Sequence, residues 1–416
     1  MPNLLFLCHR IPYPPDKGDK IRAWNILNHL SKQWEIDLGC LIDDAADIQH
    51  VPFLKSRCRS VGAFRMNSRL SLWFQTLRRM KPGQPLSVGW FHDPALWNWV
   101  NERISTRHYD AVYAFSAAMA PYLVGPNHPG RSCRRILDMV DVDSEKWSEY
   151  AKNSSSPMKF VWRREGRTLL AFERWAARQF DLCTFVSTKE RDRFGQLAPE
   201  ADEYIDWVEN GVDMVYFSPD RQYENPYRAG GPAIVFTGTM DYRPNVEAVT
   251  WFATEVMPLL RKRAGKYSPT FHIVGAKPAR SVSELAQMPG VYVTGAVPDV
   301  RPYLAHADVA VAPLMIARGI QNKVLEAMAL GRPVVASSAA FEGVRARPGL
   351  DVLVADGAVD TARAVDEVLD GKWGGLGAAA RSTMLANYQW SSTLARLDAM
   401  LATNRDGQAP ALGAVA

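Results

Sequence analysis

Two apolar, Val-rich runs of strand length, residues 308–314 (DVAVAPL) and 333–337 (PVVAS), bracket a glycine loop and a short stretch of helix formers. Asn322 is placed to cap such a helix and residues 324–330 are mostly good helix formers. Gly331 suits the left-handed position after the last turn, and Pro333 forbids continuation. Strand, glycine loop, helix, strand is the repeating step of a parallel sheet covered on both faces.

This loop presents Gly319 and the backbone N–H groups of Ile320, Gln321, Asn322 and Lys323 at a helix N-terminus, where unpaired donors and the helix dipole favour an anion. Lys323 adds a full positive charge. Glu326 lies about one turn further on, and its side chain leans back toward the same end. Its carboxylate has two readings: complement to the helix dipole, or acceptor of hydrogen bonds from a ribose diol.

The same alternation recurs along the chain. Residues 4–8 read as a first buried strand, followed by a loop at 10–20 dense in Pro, Gly and charge, and a helix at 21–30 with Trp24, Leu27 and Leu30 inward. Residues 35–42, 111–115, 135–140 and 182–186 read as further strands, and 187–190 (STKE) as a capping box. Beyond residue 233 come a strand into a glycine turn (AIVFTGTM) and a helix from 244 to 263 with Val246, Val249, Phe252, Val256 and Leu259 on one face. Strands at 270–275 and 291–297 follow, and then an amphipathic helix at 388–401. Loops at the carboxyl ends of parallel strands line the ligand crevice, which puts Gly18, Arg22 and Gly238 where a phosphate can approach. For Gly18 the alternative is a plain solvent turn. Asp141 and Asp143 (DVD) end a strand on the same side, as acceptor-side candidates or a chance pair. As a metal-holding pair they would imply a different architecture.

A chain of 416 residues suits two domains, and 47% hydrophobic and 22% charged residues are ordinary for a globular enzyme. The formal net charge of +5 accommodates an anionic substrate or membrane face without the clustered cations of a nucleic-acid binder. Five scattered cysteines without metal-ligand spacing imply free thiols and a reducing, cytoplasmic setting. Neither a signal peptide nor a bilayer-spanning window is expected. Residues 65–90 interleave Arg and Lys with Leu, Trp, Phe and Met, a mixture suited either to an anionic membrane surface or to ordinary packed surface, and 150–177 carry a similar one.

Several runs resemble retaining glycosyltransferase family 4, of the two-domain GT-B fold: 323–337 (KVLEAMALGRPVVAS), 210–220 (NGVDMVYFSPD), 236–252 (FTGTMDYRPNVEAVTWF) and 293–314 (VTGAVPDVRPYLAHADVAVAPL). The opening CHRIPYPPDKGDKIRAWNIL resembles the sugar transferases of bacterial exopolysaccharide and PEP-CTERM/exosortase clusters. The resemblance implies two Rossmann-like, doubly wound parallel-sheet domains facing a cleft. Its expected limits are an acceptor-side domain at 1–205, a linker at 206–232 and a nucleotide-sugar domain at 233–385. A helix at 386–403 crosses back to the first domain, and a flexible tail occupies 404–416. It makes Glu326 the holder of the donor ribose, Gly18 a close-approach glycine and Gly295 part of the turn whose backbone meets the base. Relatives place cations where Thr239 and Asn245 stand here, leaving Arg243 as the nearby cation for the diphosphate.

Two departures are plain. Arg318 occupies the place of the family's upstream Glu, and residues 113–116 (YAFS) lack the His that relatives carry there. The implied reaction moves a sugar from a nucleoside-diphosphate donor to a hydroxyl on a glycan or lipid-linked acceptor. Lys323, Arg243 and Asp143 are its catalytic candidates, and no metal or further cofactor is required. Two rivals remain: a non-catalytic nucleotide-sugar binding module, and a Rossmann oxidoreductase, the latter disfavoured because the turn after AIVFT is not G-x-G-x-x-G.

Overall fold

A computed structural model describes residues 1–66, 83–125, 133–152, 156–227, 231–263, 268–317 and 319–402. Arg318, most of the basic-aromatic stretch 65–90 and the tail 404–416 lie outside the described residues. The chain divides into two compact units, Met1–Glu209 with Leu394–Ala416, and Asn210–Thr393.

Among the described residues the first unit contains a sheet of β1 (Asn3–Cys8), β2 (Glu35–Ile42), β3 (Ser60–Arg65), β4 (Ala111–Phe115), β5 (Arg134–Val140), β6 (Leu182–Phe185) and β7 (Ile205–Trp207), in the order β3-β2-β1-β4-β5-β6-β7. The second contains β8 (Ala233–Thr237), β9 (Thr270–Val274), β10 (Val291–Gly295), β11 (Val309–Ala312), β12 (Val334–Ala336) and β13 (Leu353–Val354), in the order β10-β9-β8-β11-β12-β13. Every pairing between these strands is parallel. Both sheets are therefore doubly wound. Their strand order reverses between β1 and β4 and between β8 and β11, the topological switch points at which such sheets bind ligands.

The strands sit where apolar runs place them. Leu4, Leu5, Phe6 and Leu7 of β1 are fully buried, as are Ile234 and Val235 of β8, because a central parallel strand has helices on both faces. All five cysteines are buried and unpaired. Residues 206–232, expected as a linker, are shared out: β7 adds an edge strand to the first sheet, and the chain counts with the second unit from Asn210.

Helix boundaries differ more. Helix α1 spans Gly18–Leu30, so Gly18 opens the helix instead of lying in the loop before it. Trp24 is only partly buried, and Lys20 and Arg22 are buried instead. Helix α2 (Asp143–Lys152) packs against α3 (Met158–Ala177). In the expected capping box, Ser187 accepts from the Glu190 N–H at 3.2 Å, but the Glu190 carboxylate turns to the Val142 N–H at 2.9 Å. Helix α4 (Arg243–Trp251) runs into a π-helical turn at Phe252–Val256 and then Met257–Arg263. Pro258 lacks an N–H for the regular ladder, which accounts for the widened turn. The extra residue shifts the buried face to Ala248, Val249, Phe252, Ala253, Val256 and Met257, leaving Val246 and Leu259 at its margin. Helix α5 spans Asn322–Ala329, and α6 spans Trp390–Ala402. From Leu394 onward α6 counts with the first unit, where His29 Nε2 lies 2.9 Å from Asp398 Oδ2 and Arg134 donates to the Met400 carbonyl at 3.1 Å.

Candidate functional site

At the switch point of the second sheet, the loop after β8 and the loop before α5 meet. The Gly238 N–H donates to the Val274 carbonyl at 3.1 Å and the Gly275 N–H to the Gly295 carbonyl at 3.2 Å, so three strand-end glycines lie side by side. The approach is too close for side chains. A Cβ on Gly275 would stand 1.7 Å from the Gly238 carbonyl oxygen, and one on Gly238 would stand 2.7 Å from Asn245 Nδ2 and 3.3 Å from Lys323 Nζ. Gly238, Asn245 and Lys323 are thereby brought together, and Gly295 adjoins Gly275.

Helix α5 starts without a side-chain cap. Gln321 is the N-cap residue, and Asn322 is the first helical residue in place of the cap expected of it. The Asn322 side chain instead accepts a 3.3 Å hydrogen bond from Asn210. Gly319, at φ 63°, turns the chain through the left-handed region into the helix. Ile320 points its side chain into the core, so only its backbone can serve a ligand. The Val324 and Leu325 N–H groups donate to the Gln321 carbonyl at 2.9 and 3.4 Å, and no side chain takes the capping place ahead of them that Ser187 or Ser337 takes elsewhere.

Lys323 donates to Asn245 Oδ1 at 2.6 Å, and its Nζ stands 4.1 Å from the centre of the Phe236 ring. Asn245 is held in turn by donating to the Thr239 carbonyl at 2.9 Å. Among the described residues no carboxylate forms an ion pair with Lys323. Burial lowers its pKa to about 7, opposed only by the charge of Glu326. Burial likewise raises the Glu326 carboxyl to about 7, with Lys323 pulling the other way. Both residues keep part of their surface exposed, so a ligand can reach them. The arrangement is a desolvated cation and a desolvated carboxyl at an uncapped helix start, and an arriving anion would restore full charge to the lysine.

The remaining candidates are placed differently. Arg243 opens α4 and its Nε donates to Glu247 at 2.6 Å, a partly exposed i,i+4 pair. Arg22, expected at a phosphate, is 1% exposed, with two bonds to Asp138 at 2.9 and 3.2 Å and one to the Val208 carbonyl at 2.8 Å. Its guanidinium neutralises a fully buried carboxylate, a structural task that replaces the expected one. Gly18 is exposed at the start of α1. Asp143 is half-exposed at the start of α2, 4.0 Å from Lys146. Asp141 is driven up to about 7 by burial, with Glu190 and Asp143 adding to the shift. Among the described residues no three His, Cys, Asp or Glu side chains gather as a metal-ligating group.

Two features escaped sequence reasoning. Asn245, a neutral residue standing where relatives place a cation, is the side chain that holds Lys323. Tyr216, partly exposed and stacked on the Arg301 guanidinium at 3.7 Å, has its phenol pKa raised by its partial burial and by Asp299 and Glu326, with Arg301 opposing. Its position within NGVDMVYF was the available signal.

Residues 231–371 match the family model described as glycosyl transferases group 1. No curated protein matches by sequence. The structure is similar to a sucrose-phosphate synthase from Thermosynechococcus elongatus, with TM-score 0.71 and 16% identity over 96% of this chain and 98% of that one. It is also similar to Anabaena Alr3699/HepE in complex with UDP and glucose, with TM-score 0.68 and 16% identity over 96% and 99%. A third likeness is to a UDP-forming trehalose-phosphate synthase from Burkholderia xenovorans, with TM-score 0.64 and 11% identity over 96% and 99%. Near-complete coverage of each chain by both units establishes the two-domain GT-B fold.

Proposed function

We propose that this chain is a retaining glycosyltransferase of the family 4 type that takes a sugar from a nucleoside diphosphate and transfers it to a hydroxyl acceptor. One observation carries the reading: Lys323, desolvated and held by a neutral amide, stands at an uncapped helix start, with Glu326 one turn further on. The family-model match over 231–371 and the complex of Anabaena Alr3699/HepE with UDP and glucose support it. In the reaction the bond from the anomeric carbon to the phosphate oxygen breaks and its electron pair stays with the nucleoside diphosphate. The acceptor oxygen forms the new bond on the same face, and its proton passes to the leaving phosphate. Negative charge grows on that phosphate, where Lys323 and the α5 N–H groups stabilise it. Glu326 accepts hydrogen bonds from the ribose diol.

The acceptor we propose is a glycan or lipid-linked hydroxyl in bacterial surface polysaccharide assembly, handled in the cytoplasm or at the inner face of its membrane. The resemblance of residues 8–27 to exopolysaccharide sugar transferases supports this. A thermal-shift panel of nucleoside diphosphates tests the donor, since a ligand of the native state raises the midpoint. Glu326→Gln should then weaken the stabilising diphosphate by about 1–3 kcal/mol. A panel without any shift, or a folded variant with unchanged affinity, would remove the reading. Release of free sugar from the donor, however slow, separates an enzyme from a binding module.

A further inference from the structure

Helix α3 is charge-sorted to an unusual degree. Its two acids point inward, and each serves a neighbouring helix. Glu165 accepts from the Leu86 and Ser87 N–H groups at 2.8 Å, and Glu173 accepts from the Ser144 N–H at 3.2 Å and its hydroxyl at 2.5 Å. Both residues are buried. With the acids consumed, the outward face shows Phe160, Arg163, Arg167, Arg174 and Trp175 along the whole length of the helix, continued by Arg178 just beyond it. The apolar side chains on it are not marginal: Phe160 is 64% exposed and Trp175 42%. Near the far end, Arg174, Trp175, Arg178 and Glu200 border a shallow depression of about 350 Å³. Glu200, which borders the depression, pairs with Arg174 at 2.6 Å.

We infer that this face of α3 docks on an anionic phospholipid bilayer, its arginines at the headgroup phosphates and Phe160 and Trp175 in the interfacial layer. A face of arginines alone would suit any polyanion. The exposed Phe160 and Trp175 among the arginines single out the bilayer, because there apolar tips gain by leaving water beside phosphates. The arginine stems can lie along the apolar boundary while their heads remain solvated. The inference does not depend on which reaction the chain performs, and its test reads partition and not turnover.

Co-sedimentation of the full chain with phosphatidylcholine vesicles, with and without phosphatidylglycerol, tests it. Binding should require the anionic lipid and weaken as salt rises. Reversing two charges (Arg163→Glu with Arg167→Glu) should lower the partition coefficient roughly tenfold or more. Phe160→Ser should lower it with the arginines intact. Arg163→Lys with Arg167→Lys should retain most binding, and near-native melting of all variants guards against misfolding. Vesicle binding unmoved by these substitutions would overturn the inference. So would equal loss from the charge reversals with none from Phe160→Ser, together with full displacement by a soluble polyanion, which would mark a general polyanion face.

Discussion

The segment from β1 into α1 and the start of α5 both carry cations at the carboxyl edge of a parallel sheet, yet they hold them in opposite ways. After β1 every lysine and arginine meets a carboxylate: Arg10 meets Asp19 at 2.6 Å, Lys17 meets Asp43 at 3.7 Å, Lys20 meets Asp47 at 2.7 Å and Arg22 meets Asp138 at 2.9 Å. At the start of α5, Lys323 has a neutral amide and an aromatic face. A cation with its carboxylate is already compensated and contributes to the architecture. A cation held by neutral groups keeps its unspent charge for a ligand, and part of its desolvation cost is recovered when the anion arrives.

The largest effect should come from the compensated side. Arg22→Ala leaves Asp138 buried without its partner and should cost about 3–5 kcal/mol of stability, while nucleotide affinity of the folded fraction is unchanged. Denaturant titration and a binding isotherm read the two separately. A stable variant with lost nucleotide binding would erase the contrast. On the other side, Lys323→Ala should melt near wild type but lose roughly ten- to a thousandfold in turnover, with donor affinity falling less, since the phosphate gains charge only as the bond breaks. Steady-state kinetics at saturating acceptor measure both.

Asn245→Asp would convert one loop into the other by giving Lys323 a carboxylate. It should raise the pKa of Lys323 and weaken diphosphate binding about tenfold, because the anion must compete with a fixed charge. Calorimetric titration would report it, and tighter binding would contradict the idea that neutrality of the holder matters. The remaining effect is on stability against pH. Lys323 falls from an ordinary 10.5 to about 7 in the folded chain, so the native state bears its desolvated charge below pH 7. That penalty fades between 7 and the ordinary lysine value. Lys323→Met should therefore melt higher than wild type, most clearly below pH 7, with the gap closing as pH rises. A gap that widens with pH would reverse the assignment.

Most strands were legible in the sequence because a parallel strand buried on both faces is a bare apolar run, as in residues 4–8 and 308–314. The position of Lys323 and Glu326 on one short helix was legible too, from the glycine before it and the proline after it. The fate of Arg22 was not, since its partner Asp138 is 116 residues away. Nor was the role of Asn245, which acquires it only by meeting a lysine 78 residues further on. Local spacing reports which groups a loop presents. It does not report which of them the fold has already neutralised.

The contact between Gly238 and Gly275 bears on how such a site can diversify. The floor beneath Lys323 is built from main-chain atoms packed so tightly that any side chain at Gly275 collides with a carbonyl. Substitution cannot tune that floor, only destroy it. A change of ligand there would therefore run through side chains above it, such as Asn245, which can change while the backbone beneath stays as it is.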